Sequence, residues 1–426
     1  MRSSAPSRSD RAAPGAAAAG GSVPARHPAP AYADSPASAP APAGAGRAAE
    51  PAPPVVGMVG GGQLARMTCA ASIGLGVSFR VLARAADESA AQVCAGTVIG
   101  DHRSVPDLLG FASLCDVVTF DHEHVPAAGL EAMENAGIAV RPGSRALRYA
   151  QDKRAMRDRL TGLGVACPPY AAVAGLADVT AFADRHGWPV VLKAVSGGYD
   201  GRGVWLCKTP AEAAEVLRHG IEVIVEEHVQ FLRELAILVA RSPSGQGAAY
   251  PVVQTVQENG ICREVLAPAP RLPASLAEEA QRLGLAIAAE LDVTGLLAVE
   301  LFETPAGLLV NELAMRPHNC GHWTIDGSQT SQFEQHLRAV LNLPLGTPDP
   351  LAPWTVMVNI LGGADADIRS KLVHVLAADP GVKVHLYGKP VRPGRKVGHV
   401  TVAGSDLQAL RDRAARAASY LADGVE

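Results

Sequence analysis

The chain has 426 residues, enough for two or three domains, and its 48% of hydrophobic residues can fill a sizeable core. Its net charge of −4 gives no reason to expect a nucleic-acid or anionic-membrane partner. Seven dispersed cysteines without a CxxC pair favour free thiols in a reducing compartment, and no apolar run is long enough to span a bilayer. These features predict a cytoplasmic protein.

The chain begins with an Ala- and Pro-rich segment. Residues 1–54 contain 19 Ala and 11 Pro and almost no large apolar side chains. Such a segment cannot bury enough surface to offset its ordering entropy, so we predict a disordered tail over residues 1–53. Its five Arg also suit an organelle transit peptide, but the density of proline argues against the amphipathic helix of such peptides.

Strand and helix patterns alternate after the tail. Residues 54–59 have a buried-strand pattern, a glycine turn and a helix-like run follow, and residues 77–82 form the next strand pattern. Another strand pattern covers residues 116–120 and ends in the polar cluster Asp121-His-Glu-His124. This order predicts a Rossmann-like α/β domain with a parallel sheet over residues 54–146.

The glycine turn of this domain resembles a dinucleotide fingerprint. Gly60, Gly62 and Ala65 match G-x-G-x-x-A, but no carboxylate for a ribose hydroxyl stands near Leu82, which disfavours a dehydrogenase. A helix N-terminus behind glycines suits a phosphate. A tight turn that only lets the helix approach the strand is an equal alternative.

A second glycine-rich loop follows the strand pattern at residues 189–193. This loop, residues 194–203, has four glycines together with Asp200 and Arg202, and a further strand pattern follows it. Its N–H groups can close over phosphates, and Lys193 supplies a point charge. No Gly-Lys-Ser/Thr follows the glycines, so the loop predicts an anion lid of a kind other than Walker A.

Further elements are expected downstream. The patterns predict a helix that begins near Ser144 and includes Asp152 and Lys153, strands at 222–229, 234–240 and 250–256, and helices at 276–290 and 331–341. Residues 343–353 are Pro-rich and indicate a boundary. The basic loop within residues 382–399 is either a solvated turn or a clamp on an anion.

Two carboxylates stand close together in the fold that we predict for residues 296–315. Glu300 lies in a strand pattern, a turn follows, and folding the chain about Ala306 sets Glu300 opposite Glu312 on one face. Opposed carboxylates repel unless a cation lies between them, and oxygen ligands suit Mg²⁺. Solvated strand ends are the alternative. The neighbouring polar residues favour a site: Asn311, Arg316, His318 and Asn319.

The order of these motifs resembles the ATP-grasp superfamily and, within it, the family of N5-carboxyaminoimidazole ribonucleotide synthases. The motifs that carry the resemblance are residues 60–67, 120–126, 198–203, 311–324 and 392–399. The resemblance spans about residues 54–420. It implies an α/β and α+β protein with a pre-ATP-grasp domain at 54–146, an ATP-grasp domain at 147–345 and a small β-rich C-terminal domain at 350–426.

The resemblance also implies a reaction, in which ATP and bicarbonate carboxylate 5-aminoimidazole ribonucleotide through carboxyphosphate during purine biosynthesis. Mg²⁺, or Mn²⁺ in its place, would bind Glu300, Glu312 and Asn311. The implied ATP-binding residues are Lys153, Lys193, Gly198, Gly201, Glu226, Glu227, His228, Val229, Glu234, Asn311 and Glu312.

The other implied residues border the second substrate. Those that act at the reacting groups are Tyr199, Asp200, Arg202, Arg316 and His318. Those that bind the ribonucleotide are Gly62, Gln63, Glu123, Arg395 and Lys396. Met315, Cys320 and the cluster at 121–124 depart from the usual family residues, so only Glu123 of that cluster is carried over. The family also implies a homodimer.

Other readings stay open. Another ATP-grasp carboxylate–amine ligase, or a formate-using glycinamide ribonucleotide transformylase, would use the same ATP machinery. A nucleotide-binding regulator would have lost its metal carboxylates or lysines, and both are present. His318, Cys320 and His322 could bind zinc, but a closed site needs a fourth ligand that the sequence does not show.

Removal of residues 1–50 should leave kcat and KM unchanged, because the tail is expected to contribute nothing to the core. Steady-state kinetics of the truncated and full-length proteins measure this. A large loss of kcat on truncation would contradict the prediction of a disordered tail.

Overall fold

The computed structural model describes residues 52–198, 202–258, 260–363 and 365–424, which belong to one compact unit that begins at Ala52. The predicted tail therefore lies almost entirely outside the described residues. Three β-sheets organise the described part. None of its helices is both long and apolar enough to cross a membrane.

The first sheet confirms the predicted parallel α/β domain. Its five strands run in the order β3-β2-β1-β4-β5. They are β1 (Val55–Val59), β2 (Ser78–Ala83), β3 (Gly96–Ile99), β4 (Val117–Phe120) and β5 (Ala139–Val140). The helices between them are α1 (Gln63–Gly74), α2 (Val105–Ala112) and α3 (Ala127–Asn135). Strands β1 and β4 are buried almost throughout, as a parallel sheet with covered faces requires.

The helix expected from Ser144 through Lys153 is two helices, which corrects the prediction. They are α4 (Ser144–Gln151) and α5 (Lys153–Gly162). Asp152 has an extended backbone, and its carboxylate accepts the N–H of Ala155 at 2.8 Å. An aspartate in this position caps a new helix, so Lys153 becomes the first residue of α5. The N–H of Lys153 donates to the carbonyl of Val195 at 2.9 Å, which places the lysine beside the glycine-rich loop.

A four-stranded antiparallel sheet carries that loop. Its order is β6-β9-β7-β8. The strands are β6 (Tyr170–Val173), β7 (Val190–Ala194), β8 (Val204–Cys207) and β9 (Val223–Glu227), and the helices are α6 (Leu176–His186) and α7 (Pro210–Leu217). Since β7 pairs with β8 in antiparallel register, the glycine-rich loop is the hairpin connection that the sequence predicts.

The third sheet has nine strands, in the order β15-β14-β10-β12-β13-β16-β18-β17, with β11 paired to β10. The strands are β10 (Arg233–Arg241), β11 (Gly247–Ala249), β12 (Val253–Glu258), β13 (Ile261–Ala267), β14 (Gly295–Thr304), β15 (Gly307–Ala314), β16 (Trp354–Leu361), β17 (Lys383–Leu386) and β18 (Lys396–Gly404). The strand expected over residues 250–256 starts only at Val253. Tyr250 precedes it and donates its buried hydroxyl to the carbonyl of Thr330 at 2.9 Å.

Helices cover this sheet. They are α8 (Ala274–Glu290), the short α9 (Thr324–Gly327), α10 (Gln332–Val340), α11 (Ile368–Ala378) and α12 (Leu407–Asp423), and a 3₁₀ turn spans Asn319–Gly321. The C-terminal part is β-rich, as expected, but its strands extend the large sheet because β16 pairs with β13. The pairing removes an exposed edge from both parts. The domain boundaries at 147–345 and 350–426 stay predictions.

Candidate active site

A cavity of about 930 Å³ lies between the three sheets. Sixteen residues proposed from the sequence line it. They are Gln63, Glu123, Lys153, Lys193, Gly198, Glu226, Glu227, His228, Val229, Glu234, Glu300, Asn311, Glu312, Arg316, His318 and Lys396. Gly62, Arg202 and Arg395 do not line the cavity, and Tyr199, Asp200 and Gly201 lie outside the described residues. The fold thus brings most of the sequence-predicted site together.

Glu300 on β14 and Glu312 on β15 face each other, as predicted, although the turn between them differs from the expected one. The hairpin closes on the pair Thr304 and Gly307, so its centre precedes Ala306. This register alone would set Glu300 opposite Asn311. A β-bulge between Glu300 and Leu301 shifts the register by one residue and restores the pairing with Glu312. A bulge sets two residues against one, so Asn311 joins the two carboxylates.

Two lysines neutralise this end of the cavity. Lys153 Nζ lies 2.8 Å from Glu312 Oε1. Lys193 Nζ lies 2.8 Å from both Asn311 Oδ1 and Glu226 Oε2. Lys193 and Glu226 are nearly fully buried, so each needs the other as a partner.

Arg157 binds Glu226, which is also the partner of Lys193, and was not identified from the sequence. Its fully buried guanidinium donates to Glu226 Oε1 at 2.7 Å and to the carbonyls of Val310 and Asn311 at 3.1 and 2.8 Å. The same side chain therefore orients Glu226 and holds the backbone at the bulge. The basic stretch 153–159 contains four cations, and nothing in the sequence distinguishes Arg157 as the one whose side chain is fully buried.

The two opposed carboxylates have different proton affinities. Burial, together with the charges of Glu312 and Glu234, raises the pKa of Glu300 to about 7. Burial also favours the neutral form of Glu312, but Lys153 and Lys193 outweigh it and hold the pKa of that carboxyl below its ordinary value. The pair therefore shares its charge unevenly, with the anion on the Glu312 side.

Arg316 and His318 border the middle of the cavity. Arg316 Nε lies 2.8 Å from Glu123 Oε1, which ties the loop after β15 to the end of β4. His318 Nε2 lies 3.7 Å from Glu300 Oε1. Burial and the cations of Arg316 and Lys396 hold the pKa of His318 well below its ordinary value, so its ring is neutral.

The glycine turn at residues 60–62 packs against the carboxylate of Asp121. Asp121, at the end of β4, accepts the N–H groups of Gly62 and Ala65 at 2.8 and 2.9 Å. A Cβ on Gly62 would lie 2.1 Å from Asp121 Oδ2, so only glycine fits there. Two N–H groups at the start of α1 are thus bound by the protein itself, which favours the tight-turn alternative for this motif. Asp121 was missed because only Glu123 was taken from its cluster.

The basic C-terminal loop reaches the cavity with different residues from those expected. Lys389 and Lys396 line it, and Lys389 Nζ contacts Gln63 Oε1. Arg395 instead donates to the carbonyl of Pro390 at 3.3 Å. The position of Lys396 therefore favours the alternative that this loop clamps an anion. Lys389 also lines the cavity and was not identified from the sequence.

The described residues contain no group of three or more His, Cys, Asp or Glu side chains arranged to hold a metal ion. Of the three zinc candidates, His318 Nδ1 and Cys320 Sγ lie 3.1 Å apart, whereas His322 is fully buried and its Nδ1 lies 3.0 Å from Gln332 Nε2. Glu300, Glu312 and Asn311 can supply oxygen ligands on one side only. A cation there would take its remaining ligands from phosphates and water, which is how Mg²⁺ is bound in nucleotide sites.

Three family models match successive parts of the chain. The ribonucleotide synthetase pre-ATP-grasp domain matches residues 54–151, the ATP-grasp domain matches 158–333, and the phosphoribosylaminoimidazole carboxylase C-terminal domain matches 355–413. The N5-carboxyaminoimidazole ribonucleotide synthase of Mycobacterium bovis is 56% identical over 379 residues, which cover 87% of this chain and 88% of that protein.

Solved structures agree with these sequence matches. The N5-carboxyaminoimidazole ribonucleotide synthetase of Thermus thermophilus is 40% identical with a TM-score of 0.78, and the match covers 86% of this chain and 98% of that one. The N5-carboxyaminoimidazole synthase of Aspergillus clavatus, in complex with ADP and 5-aminoimidazole ribonucleotide, is 30% identical with a TM-score of 0.81. That match covers 88% of this chain and 100% of the other. The predicted fold class is confirmed.

The raised pKa of Glu300 should make stability depend on pH. A carboxyl with a pKa of about 7 in the folded protein binds a proton that the unfolded chain, at 4.5, releases. Its contribution is therefore full below pH 4.5 and is lost as pH rises to about 7, by at most about 3 kcal/mol. Glu300→Gln should remove this slope. Urea unfolding of wild type and variant between pH 5 and 8, without nucleotide, measures it, and parallel curves would contradict the assignment.

Replacement of Arg157 should damage both stability and ATP binding. Arg157→Met leaves Glu226 buried with one cation fewer and should cost about 3 kcal/mol of unfolding free energy. The KM for ATP should rise because Glu226, without Arg157, would retain Lys193 and leave it less available to phosphate oxygens. Arg159→Met, on the same helix, breaks only the exposed pair with Glu290 and should cost under about 1 kcal/mol. Equal effects of the two changes would refute the role of Arg157.

Proposed function

Because the chain belongs to the N5-carboxyaminoimidazole ribonucleotide synthase family, we propose that the cavity between its three sheets binds ATP and 5-aminoimidazole ribonucleotide at opposite ends, with the carboxyl transfer between them. The chain is an ATP-dependent ligase of purine biosynthesis that carboxylates this ribonucleotide. The assignment of roles to individual residues is our proposal. The observation that carries it is the opposed pair Glu300 and Glu312, bordered by two lysines.

At the ATP end, Glu300, Glu312 and Asn311 would hold Mg²⁺, or Mn²⁺, which would neutralise charge on the β- and γ-phosphates. Burial and the charges of Glu312 and Glu234 raise the pKa of Glu300, and a divalent cation beside the two carboxylates would offset the part of this shift that comes from charge. Lys153 and Lys193 turn from their carboxylate and amide partners towards phosphate oxygens. Charge neutralisation of this kind is the main contribution of a protein to phosphoryl transfer.

The nucleoside of ATP lies against the end of β9. The backbone of Glu226, Glu227, His228 and Val229 faces adenine, and Glu234 accepts the ribose hydroxyls. All five residues line the cavity, which supports this placement. Gly198 and the rest of the glycine-rich loop, with Gly201, cover the phosphates.

The ribonucleotide lies at the other end, between the first and C-terminal parts. Gln63 and Glu123 contact it from the first domain, and Lys396 supplies a cation for its phosphate. Gly62 and Arg395, which do not line the cavity, are assigned to the same substrate by the family resemblance alone. The resemblance likewise assigns Tyr199, Asp200 and Arg202 to the reacting groups, and the first two lie outside the described residues.

The reaction runs in two steps. A bicarbonate oxygen attacks the γ-phosphorus of ATP, ADP leaves, and carboxyphosphate forms. The exocyclic amine of the ribonucleotide then attacks the carboxyl carbon, phosphate leaves, and the amine nitrogen loses a proton. Arg316 and the neutral ring of His318 border the carboxyphosphate, where a fixed cation and an N–H donor stabilise its oxygens. The homodimer and the cytoplasmic location stay predictions.

Glu312→Gln should abolish the ATP turnover while the fold stays intact, because a neutral amide binds a divalent cation much more weakly than a carboxylate does. The measurement is release of ADP with Mg²⁺, with and without bicarbonate and the ribonucleotide. Wild type should need both for full turnover, and the variant should lose at least about 100-fold in kcat. Glu290→Gln, at an exposed helix end, is the control and should keep wild-type turnover. Full activity of Glu312→Gln would refute the metal assignment.

A further inference from the structure

Gln332 begins helix α10 and is fully buried beneath the loop that carries Arg316 and His318. Its Oε1 accepts the N–H of His318 at 2.8 Å, and its Nε2 donates to the carbonyl of His318, also at 2.8 Å. The same Nε2 donates to His322 Nδ1 at 3.0 Å. One carboxamide therefore satisfies both backbone groups of His318, as a neighbouring strand would.

The loop is shaped around this carboxamide. A Cβ on Gly321 would lie 2.5 Å from Gln332 Oε1, so the glycine permits the close approach. With the backbone held, the His318 ring is oriented from both sides. The N–H of Cys320 donates to its Nδ1 at 3.4 Å, and its Nε2 lies 3.7 Å from Glu300 Oε1.

We propose that Gln332 is a positioning residue for the carboxylation, since its carboxamide fixes the backbone of His318 and thereby sets the ring at the carboxyphosphate end of the cavity. This inference rests on the role of His318 proposed above. Without the carboxamide, the partly buried N–H of His318 would lose its partner and its carbonyl would keep only the N–H of Gly321 at 3.0 Å, so the loop would shift to satisfy the N–H. A shift of about 1 Å at a reacting centre can cost on the order of 100-fold in rate.

Helix α10 provides a matched control. Gln335, also fully buried, clamps Gly346 in the same way, with its Oε1 accepting the Gly346 N–H and its Nε2 donating to the Gly346 carbonyl, both at 2.7 Å. Neither glutamine lines the cavity, but His318, which Gln332 holds, does, and Gly346, which Gln335 holds, does not. The same substitution at the two positions therefore separates loss of a buried clamp from misplacement of His318.

The substitution is Gln332→Glu, which keeps the shape of the side chain but lets it donate a hydrogen bond only when the carboxyl is protonated. The ionised carboxylate would face the His318 carbonyl and the His322 lone pair, whereas the protonated acid regains one donor. Burial raises the pKa of an introduced carboxyl, so the change falls within reach of an assay. The titratable groups nearby are His318 and His322, and the ring of His322 contacts Tyr387 and His399.

We expect kcat of Gln332→Glu to be about 10- to 100-fold below that of wild type at pH 8. The ratio of its kcat to the wild-type kcat should recover as the pH is lowered to 6, and the KM for ATP should stay within about twofold of the wild-type value. Gln335→Glu should lose thermal stability, and the ratio of its kcat to the wild-type kcat should not change with pH. A flat ratio for Gln332→Glu, or full kcat at pH 8, overturns the proposal.

Two further variants keep the test decisive. If Gln332→Glu does not fold at pH 8, Gln332→Met supplies the comparison: a loss of kcat at all pH values supports positioning, and wild-type kcat overturns it. His318→Ala tests the premise. Full kcat in His318→Ala would remove the proposed role of His318 itself, whereas a large loss there with an unaffected Gln332→Glu would overturn only the role of Gln332.

Discussion

Two carboxylates held opposite each other, Glu300 and Glu312, impose the constraint on which the rest of the site depends. The hairpin would not bring them together by its turn alone, and the β-bulge at Asn311 completes the alignment. Lys153 relieves the repulsion on the Glu312 side, whereas burial and the neighbouring carboxylates raise the pKa of Glu300. The protein thus maintains a concentration of negative charge that a divalent cation can stabilise.

The network around this pair is arranged for exchange of partners. Lys193 bonds Glu226 and Asn311, and Arg157 bonds Glu226 and the backbone of the bulge. When a nucleotide brings phosphates and a cation, the lysines can leave their protein partners without leaving Glu226 unpaired, because Arg157 remains. Arg157 can therefore stay in place beside Glu226 while the lysines change their partners.

The continuous nine-stranded sheet explains how a C-terminal loop reaches the same cavity. Strand β16 joins β13, and the loop before β18 then brings Lys389 to Gln63 of the first domain, while Lys396 at the start of β18 lines the same cavity. Ser89 donates to the carbonyl of Tyr387 at 2.6 Å and anchors that loop. A substrate between the parts would contact side chains that are more than 300 residues apart in sequence, such as Gln63 and Lys389.

The sequence by itself determined the alternation of elements and the parallel first sheet, because hydrophobic period and local motifs depend on neighbours along the chain. Its motifs and the family that they resemble also gave the sixteen residues named above that line the cavity. It could not show that Asp152 would split a helix, that Asp121 would bind the glycine turn, or that Arg157 and Gln332 would turn inward among many similar residues. Those outcomes were decided by tertiary structure. Each arises where a buried charge or backbone group must find a partner, and the partner comes from a distant segment that only folding brings near.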